Sequence, residues 1–117
     1  MARSVLLQLA RDSITEVFEA KRHIQKEQLQ KEHPLLREPL NVTLTLYRDE
    51  KIIGNFTTSK NDSLLENIIL SAKKAAFEDK GSEILTTSKY LHCQVEVTLH
   101  TADGVMKERD EAILLDD

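Results

Sequence analysis

Residues 91–100 alternate strictly between apolar and polar side chains, and this alternation restricts the fold more than any other feature of the sequence. Side chains on a β-strand point in turn to its two faces, so the pattern predicts a strand with one buried and one exposed face. A strand of this kind needs a second layer that covers its apolar side. The apolar positions are Leu91, Cys93, Val95, Val97 and Leu99, and the polar positions are His92, Gln94, Glu96, Thr98 and His100.

The same alternation, in residues 41–47, predicts an earlier strand. The charged residues 48–51 then predict a hairpin turn, and residues 52–57 predict the returning strand. Inside that strand, Gly54 indicates either a β-bulge or a close approach of another backbone segment. Near the end of the chain, Asp103-Gly104 is a hairpin signal, and one or two short strands are predicted within residues 105–106 and 112–115.

Two amphipathic helices are predicted. The first covers residues 2 to about 24, and Gln8, Asp12 and Glu19 lie on its polar side. The second is capped by Asn61-Asp62-Ser63 and ends near Asp79, because Gly81 is a ready helix stop. The apolar stripe of the first helix consists of Leu6, Ala10, Ile14, Val17 and Ile24, and that of the second of Leu65, Ile68, Ile69, Ala72 and Ala76.

Residues 25–33 consist of helix formers but offer only Leu29 for burial. A helix continued to His33 would be roughly 45 Å long, whereas a domain of this size has a radius of gyration of about 13 Å. We therefore expect that the helix frays near Lys26, or that its end projects into solvent or onto another subunit. Pro34 terminates it in each case.

These elements together predict an α+β fold, with an antiparallel sheet of about four to five strands covered on one face by two helices. The 117 residues are enough for one domain, which we expect to span residues 1–117. No run of about 18 apolar residues is present, and no cleavable leader is evident, so we expect a cytoplasmic protein without a membrane span.

The reactive residues do not combine into a recognisable site. The single cysteine, Cys93, excludes an intrachain disulfide, and on a strand Cys93 and His92 would point to opposite faces, so no metal site or Cys/His pair is expected. The three glycines are too scattered for a phosphate-binding loop, and no cofactor is predicted. The net charge of −4 argues against a nucleic-acid-binding surface. A weaker hypothesis is RNA binding by the first helix, through Arg3, Arg11, Lys21 and Arg22.

Several segments, taken in order, resemble the AmmeMemoRadiSam system protein A family. Residues 6–14 are similar to the leading helix of that family, and residues 51–56 are similar to a strand that carries a Leu-Arg-Gly-Cys-Ile-Gly motif. The arginine position of the motif is Ile53 here, the glycine is Gly54, and the cysteine position is Asn55. Further similar segments are residues 44–46, 75–79, 95–99, 103–105 and 113–115.

The resemblance identifies the chain as a divergent, shortened member of that family. It implies an antiparallel sheet covered by helices, and a genomic association with a Memo-like protein and a radical-SAM protein. Any activity that depends on the cysteine or arginine of the motif is expected to be absent. Cys93 does not replace the motif cysteine, because it lies on a different strand.

Two functional hypotheses follow. The first is a non-catalytic accessory or partner-binding domain, which binds a protein partner or a second copy of itself through the first helix. The alternative is a small-molecule enzyme or ligand-binding protein with a pocket beside Gly54 and Asn55. Asn55 would then supply hydrogen bonds, and Glu78 or Asp79 would lie near the rim of the pocket.

Overall fold

The computed structural model describes residues 4–20, 22, 24–59, 62–77 and 86–113. None of the helices in these ranges combines the length and hydrophobicity that crossing a membrane requires. In chain order the elements are α1 (Val5–Glu19), α2 (Lys26–Glu32), a 3₁₀ helix (Pro34–Arg37), β1 (Asn41–Arg48), β2 (Lys51–Thr57), α3 (Leu64–Phe77), α4 (Thr87–Leu91), β3 (Gln94–Thr101) and β4 (Gly104–Asp110).

The four strands form one antiparallel sheet in the order β2-β1-β3-β4. Along β1 and β3, the side chains that face the helices pair across the strands as Val42 with Leu99, Leu44 with Val97, and Leu46 with Val95. All six are buried, as the alternation predicted. Helices α1 and α3 pack against this side, which confirms the predicted α+β fold with helices covering an antiparallel sheet. The helices contribute Leu6, Leu9, Ala10, Ile14, Leu64, Leu65, Ile68 and Ala72 to the core.

Strand β2 approaches α3 at Gly54. A Cβ atom on Gly54 would lie 2.1 Å from the carbonyl oxygen of Ala75, so only glycine fits under the helix at this position. The pairing of β1 and β2 also shifts at Leu46/Tyr47, where Ile53 has no cross-strand partner. Gly54 therefore combines both features that its position predicted, because it lies beside a bulge and beneath a neighbouring backbone.

Helix α1 ends at Glu19, so the prediction that it continues to about residue 24 was wrong. Ala20 adopts a left-handed conformation, with φ 51°, and its N–H donates to the carbonyl oxygen of Glu16. The Glu16 carboxylate then accepts a hydrogen bond of 2.9 Å from the N–H of Ile24. The chain turns back at this point, and Ile24 is buried in the core without being helical.

Residues 26–32 form a separate helix, α2, rather than a frayed or extended end of α1. Leu29 is half-buried and packs against the core. Lys26 forms an ion pair with Glu66 of α3, with Nζ and Oε1 3.0 Å apart. Both side chains of this pair are about half exposed, so it contributes less than about 1 kcal/mol, and the burial of Leu29 positions the helix.

Helix α3 begins as the capping pattern predicted. The Ser63 hydroxyl accepts a hydrogen bond of 3.3 Å from the N–H of Glu66. The five residues of the predicted apolar stripe are all buried. Asn61, the predicted helix end near Asp79, and Gly81 lie outside the described residues.

Strand β3 begins at Gln94, three residues later than predicted. Leu91 instead belongs to α4, in a segment whose first part was expected to be a loop. The Thr86 hydroxyl caps this short helix by accepting a hydrogen bond from the N–H of Lys89, at 3.2 Å. The N–H of Cys93 then donates to the carbonyl of Tyr90, at 3.0 Å, so Cys93 lies in a helix-ending turn and not on the strand.

Strand β4 is continuous through the charged residues 107–110, a stretch in which the sequence left the strand boundaries open. At the edge of a sheet, side chains on both faces reach solvent, so charged residues do not end the strand. Ala112 and Ile113, which were predicted to be in a strand, lie beyond β4, and Leu114 and Leu115 lie outside the described residues.

Arg11 of α1 connects the helix layer to the ends of β3 and β4, although its side chain is only 3% exposed. Its Nε donates to Oδ2 of Asp110 at 2.7 Å, and its Nη2 donates to the carbonyl oxygens of Cys93 and Glu111 at 3.2 and 2.8 Å. The guanidinium also lies 5.2 Å from the centre of the Tyr90 ring. Arg11 is thus a structural cation, which is buried and unavailable to RNA.

We expect Arg11→Met to lower the free energy of unfolding by about 2–4 kcal/mol, because it leaves the mostly buried Asp110 carboxylate without its guanidinium partner. The double variant Arg11→Met/Asp110→Leu should recover part of this loss, since it removes both charges. Urea unfolding followed by circular dichroism measures both differences. A double variant less stable than Arg11→Met would contradict the assignment.

Gly54→Ala should lower the free energy of unfolding by about 2–4 kcal/mol, because the added methyl group collides with backbone that cannot move independently of α3. The control is Ile52→Ala on the same strand, whose side chain is 57% exposed. It should cost only about 0.5 kcal/mol. Equal losses in the two variants, again measured by urea unfolding, would show that the contact with Ala75 is unimportant.

Candidate functional site on the open face of the sheet

The face of the sheet that points away from α1 and α3 carries no helix in the described part of the chain, and we call it the open face. One row of directly opposed residues crosses all four strands on this face. Thr45 is paired with Asn55 of β2 on one side and with Glu96 of β3 on the other, and Glu96 is paired with Arg109 of β4. Neighbouring strands are about 4.8 Å apart, so this polar row is about 15 Å long.

Glu96 is the centre of a hydrogen-bonded cluster on the open face, which we call the Glu96 cluster (Tyr47, Glu96 and Arg109). Oε2 of Glu96 accepts hydrogen bonds from Nε and Nη2 of Arg109, at 3.3 and 3.1 Å. Oε1 accepts a hydrogen bond of 3.3 Å from the Tyr47 hydroxyl. The guanidinium of Arg109 lies over the Tyr47 ring, 4.1 Å from its centre.

The carboxylate of Glu96 is therefore largely covered, and the residue is only 9% exposed. The sequence predicted a solvent-facing glutamate, and that prediction was wrong because side chains of both neighbouring strands close over it. The hydrogen bond to Glu96 raises the pKa of Arg109 above its ordinary value, so Arg109 remains charged at every physiological pH. The cluster presents a fixed aromatic ring and a fixed cation at the surface.

A second group of polar side chains lies nearer the start of β1. The hydroxyl oxygens of Thr43 and Thr57 are 2.8 Å apart, and Oγ1 of Thr43 is also 2.8 Å from Nε2 of His100. These contacts link β2, β1 and β3 on the open face. The exposed polar side chains of this face lie mainly on the edge strands β2 and β4, where they can form hydrogen bonds with a partner. The central residues Thr45, Glu96 and Thr98 are buried.

The four candidate residues from the sequence are not all brought together. Gly54 is buried under α3, whereas its neighbour Asn55 is exposed on the open face, in the same row as Glu96. The two residues thus lie on opposite faces of β2. Glu78 and Asp79 lie outside the described residues.

Three cavities formed by the described residues lie around α2, far from the open face. One, of about 300 Å³, is lined by Glu16, Arg22, Ile24, Lys26, Glu27, Ile69 and Lys73. The others, of about 510 and 220 Å³, are shallow and lined mainly by residues 25–32. Neither Gly54 nor Asn55 lines any of the three.

Cys93 is buried, and its Sγ donates to the carbonyl oxygen of Lys89 at 3.0 Å. The thiol thus belongs to the turn that ends α4 and does not reach the open face, which places it away from Asn55. Among the described residues, no three histidine, cysteine or acidic side chains are grouped closely enough to hold a metal ion.

The sequence did not identify Tyr47 or Arg109 as site residues. The partner of Glu96 on β4 depends on which residues form the hairpin turn. The turn consists of Ala102 and Asp103, and Gly104, with φ 129°, is the first residue of β4. Pairing counted outward from this turn places Glu96 opposite Arg109. Had Asp103 and Gly104 formed the turn, as the dipeptide suggested, Glu96 would face Glu111 instead.

A double-mutant cycle with Glu96→Gln and Arg109→Gln should give a coupling energy of about 0.5–1 kcal/mol, because the Arg109 side chain is 43% exposed and water screens the pair. The coupling should decrease at high salt. Urea unfolding of the four proteins at low and high salt measures both quantities. A coupling energy of zero at low salt would mean that Glu96 does not hold Arg109 in place.

The model of the AMMECR1 family matches residues 7–112. No curated protein matches the chain significantly. Among solved structures, the Uncharacterized Protein PH0010 from Pyrococcus horikoshii superimposes with a TM-score of 0.69 and 24% sequence identity, over 80% of this chain and 48% of that one. The chain thus spans about half the length of this structural neighbour, and the likeness shows a shared fold.

The family match confirms the resemblance to AmmeMemoRadiSam system protein A, which is a member of the same family. It covers nearly the whole chain, including both edge strands and the open face between them. On this basis, the chain belongs to the AMMECR1 family.

Proposed function

We propose that this chain is a non-catalytic accessory domain that binds a protein partner through the open face of its sheet. The observation that carries the proposal is the Glu96 cluster, in which Tyr47 and Arg109 are held at the surface by a carboxylate beneath them. Tyrosine and arginine are the residue types that most often dominate binding energies at protein interfaces. Because these two side chains are already held in place, they lose less conformational entropy when a partner binds.

The surroundings of the cluster support the same proposal. Ile52 and Val105, on the two edge strands, are 57% and 58% exposed on the same face. Val105 lies four residues from Arg109 along β4. An interface of this kind, with apolar and aromatic groups among satisfied polar ones, is typical of non-obligate protein complexes. The open face measures about 15 by 25 Å from the spacing and length of the strands, which corresponds to a small and transient interface.

Helix α1 is a less suitable surface for a partner or a second copy. Most of its apolar residues are used in the core, although Val17 of the predicted stripe is 45% exposed. The polar side of the helix is formed mainly by Gln8, Asp12 and Glu19. Gln8 also donates a hydrogen bond of 2.9 Å to Asp12, so these groups are already partly satisfied. We therefore assign partner binding to the open face and not to the first helix.

The family resemblance suggests which partners to test, namely a Memo-like protein and a radical-SAM protein. We propose that the complex forms in the cytoplasm, which agrees with the buried thiol of Cys93. In this proposal Asn55 takes part as a hydrogen-bonding group at the end of the polar row. Its amide stands where the motif of the resembled family has a cysteine, so binding does not require thiol chemistry.

The proposal predicts that the chain binds at least one of these two proteins from its source genome. Arg109→Ala and Tyr47→Ala should each raise the Kd at least about tenfold, a loss of about 1.4 kcal/mol or more. The control is Arg37→Ala, which removes an exposed arginine from the 3₁₀ helix on another surface. This variant should leave the Kd within about twofold of the wild-type value.

Isothermal titration calorimetry with the purified proteins measures these constants, and circular dichroism verifies that each variant is folded. Failure of the wild-type chain to bind either protein would contradict the proposed partners. Equal weakening by Arg37→Ala and Arg109→Ala would contradict the proposed surface, because it would indicate a general charge effect.

A further inference from the structure

The cavity of about 300 Å³ described above lies in the helix layer, between the last turns of α1, the start of α2 and the middle of α3. Its apolar wall is formed by Ile24 and Ile69, whose side chains are otherwise buried in the protein. The volume is at the lower limit for cavities that bind organic ligands, so a ligand of this cavity is a small molecule. The apolar wall favours a ligand that has an apolar group of its own.

Five charged side chains line the same cavity, and three of them are already paired within the protein. The carboxylate of Glu16 accepts a hydrogen bond of 2.9 Å from the N–H of Ile24, and its other oxygen lies 3.4 Å from Nζ of Lys73. Lys26 is paired with Glu66, which lies outside the cavity, at 3.0 Å. Each of these three charges therefore has an opposite charge beside it.

Arg22 and Glu27 supply the other two charges of the cavity. Their side chains are exposed, and neither forms a hydrogen bond or ion pair with any other residue that the structure describes. The cavity thus offers one cation and one anion that are not matched within the described chain. A ligand with a single charge can pair with only one of them, whereas a zwitterion can pair with both.

We propose that this cavity binds a small zwitterion with an apolar side chain, which is the chemistry of an apolar α-amino acid. The planar guanidinium of Arg22 binds the carboxylate of the ligand, and the carboxylate of Glu27 binds its ammonium group. The side chain of the ligand packs against Ile24 and Ile69. The inference does not depend on the proposed partner, because the cavity lies away from the open face and is tested on the isolated chain.

L-leucine is a suitable probe, and a ligand of this size in a half-open cavity should bind with a Kd of roughly 1 mM. Nuclear magnetic resonance of protein labelled with ¹³C in the isoleucine methyl groups measures the binding, with leucine added to about 20 mM. The methyl signals of Ile24 and Ile69 should shift and give a common Kd. The signal of Ile52, on β2, should not move. Absence of any shift at Ile24 and Ile69 would overturn the proposal.

Two analogues that each lack one charged group test the zwitterion. The first is 4-methylpentanoate, which has no ammonium group, and the second is 3-methylbutylamine, which has no carboxylate. Each should bind at least about fivefold more weakly than leucine, because each loses one of the two ion pairs. If either analogue bound as tightly as leucine, the cavity would recognise a single charge and the proposal would be wrong.

The variants Arg22→Gln and Glu27→Gln assign the two charges to their residues. Each should raise the Kd for leucine at least about fivefold. Glu27→Gln should also abolish the preference for leucine over 4-methylpentanoate, and Arg22→Gln the preference over 3-methylbutylamine. The control is Arg37→Gln, which removes an exposed arginine from the 3₁₀ helix and should leave the Kd within about twofold. A wild-type Kd in either cavity variant, or equal weakening by the control, would overturn the assignment.

Discussion

Burial of the apolar face of the sheet under α1 and α3 is the constraint on which the rest of the structure depends. Val42, Leu44 and Leu46 of β1 and their partners on β3 lie under α1 and α3, and this contact forms the core. Because strand side chains alternate, the burial of these residues leaves every second residue on the open face. The polar row from Asn55 to Arg109 is therefore a direct consequence of the way the core is built.

Two buried or nearly buried charges complete this arrangement, and they act on opposite sides of the sheet. On the helix side, Arg11 connects α1 to the end of β4 through its hydrogen bond to Asp110. Glu96 organises the open side by accepting hydrogen bonds from Arg109 and Tyr47. Asp110 and Arg109 are neighbours on β4, so adjacent residues of one edge strand are anchored to different layers of the molecule.

The segment similar to the family motif now has a physical explanation, residue by residue. Ile53 is the extra residue of a bulge, and Gly54 is required by the carbonyl oxygen of Ala75 above it. Asn55, at the cysteine position of the resembled motif, lies exposed on the open face. The glycine is thus needed for packing, whereas the position that carries the motif cysteine in the resembled family holds an amide at the end of the polar row.

The sequence by itself determined the fold class, the buried residues of β1, α3 and most of β3, and the cap of α3, because these depend on local periodicity and short-range hydrogen bonds. It could not determine where α1 ends, since that depends on Glu16 binding Ile24 after the chain has turned back. Nor could it show that Leu91 and Cys93 precede β3, because the alternating pattern extends back through the turn to the last residue of α4. The covering of Glu96 was likewise decided by tertiary structure, because Tyr47 and Arg109 come from two other strands and meet it only through the register of the sheet. Pairing across strands is a long-range property, and one residue more or less in a turn changes which side chains face each other.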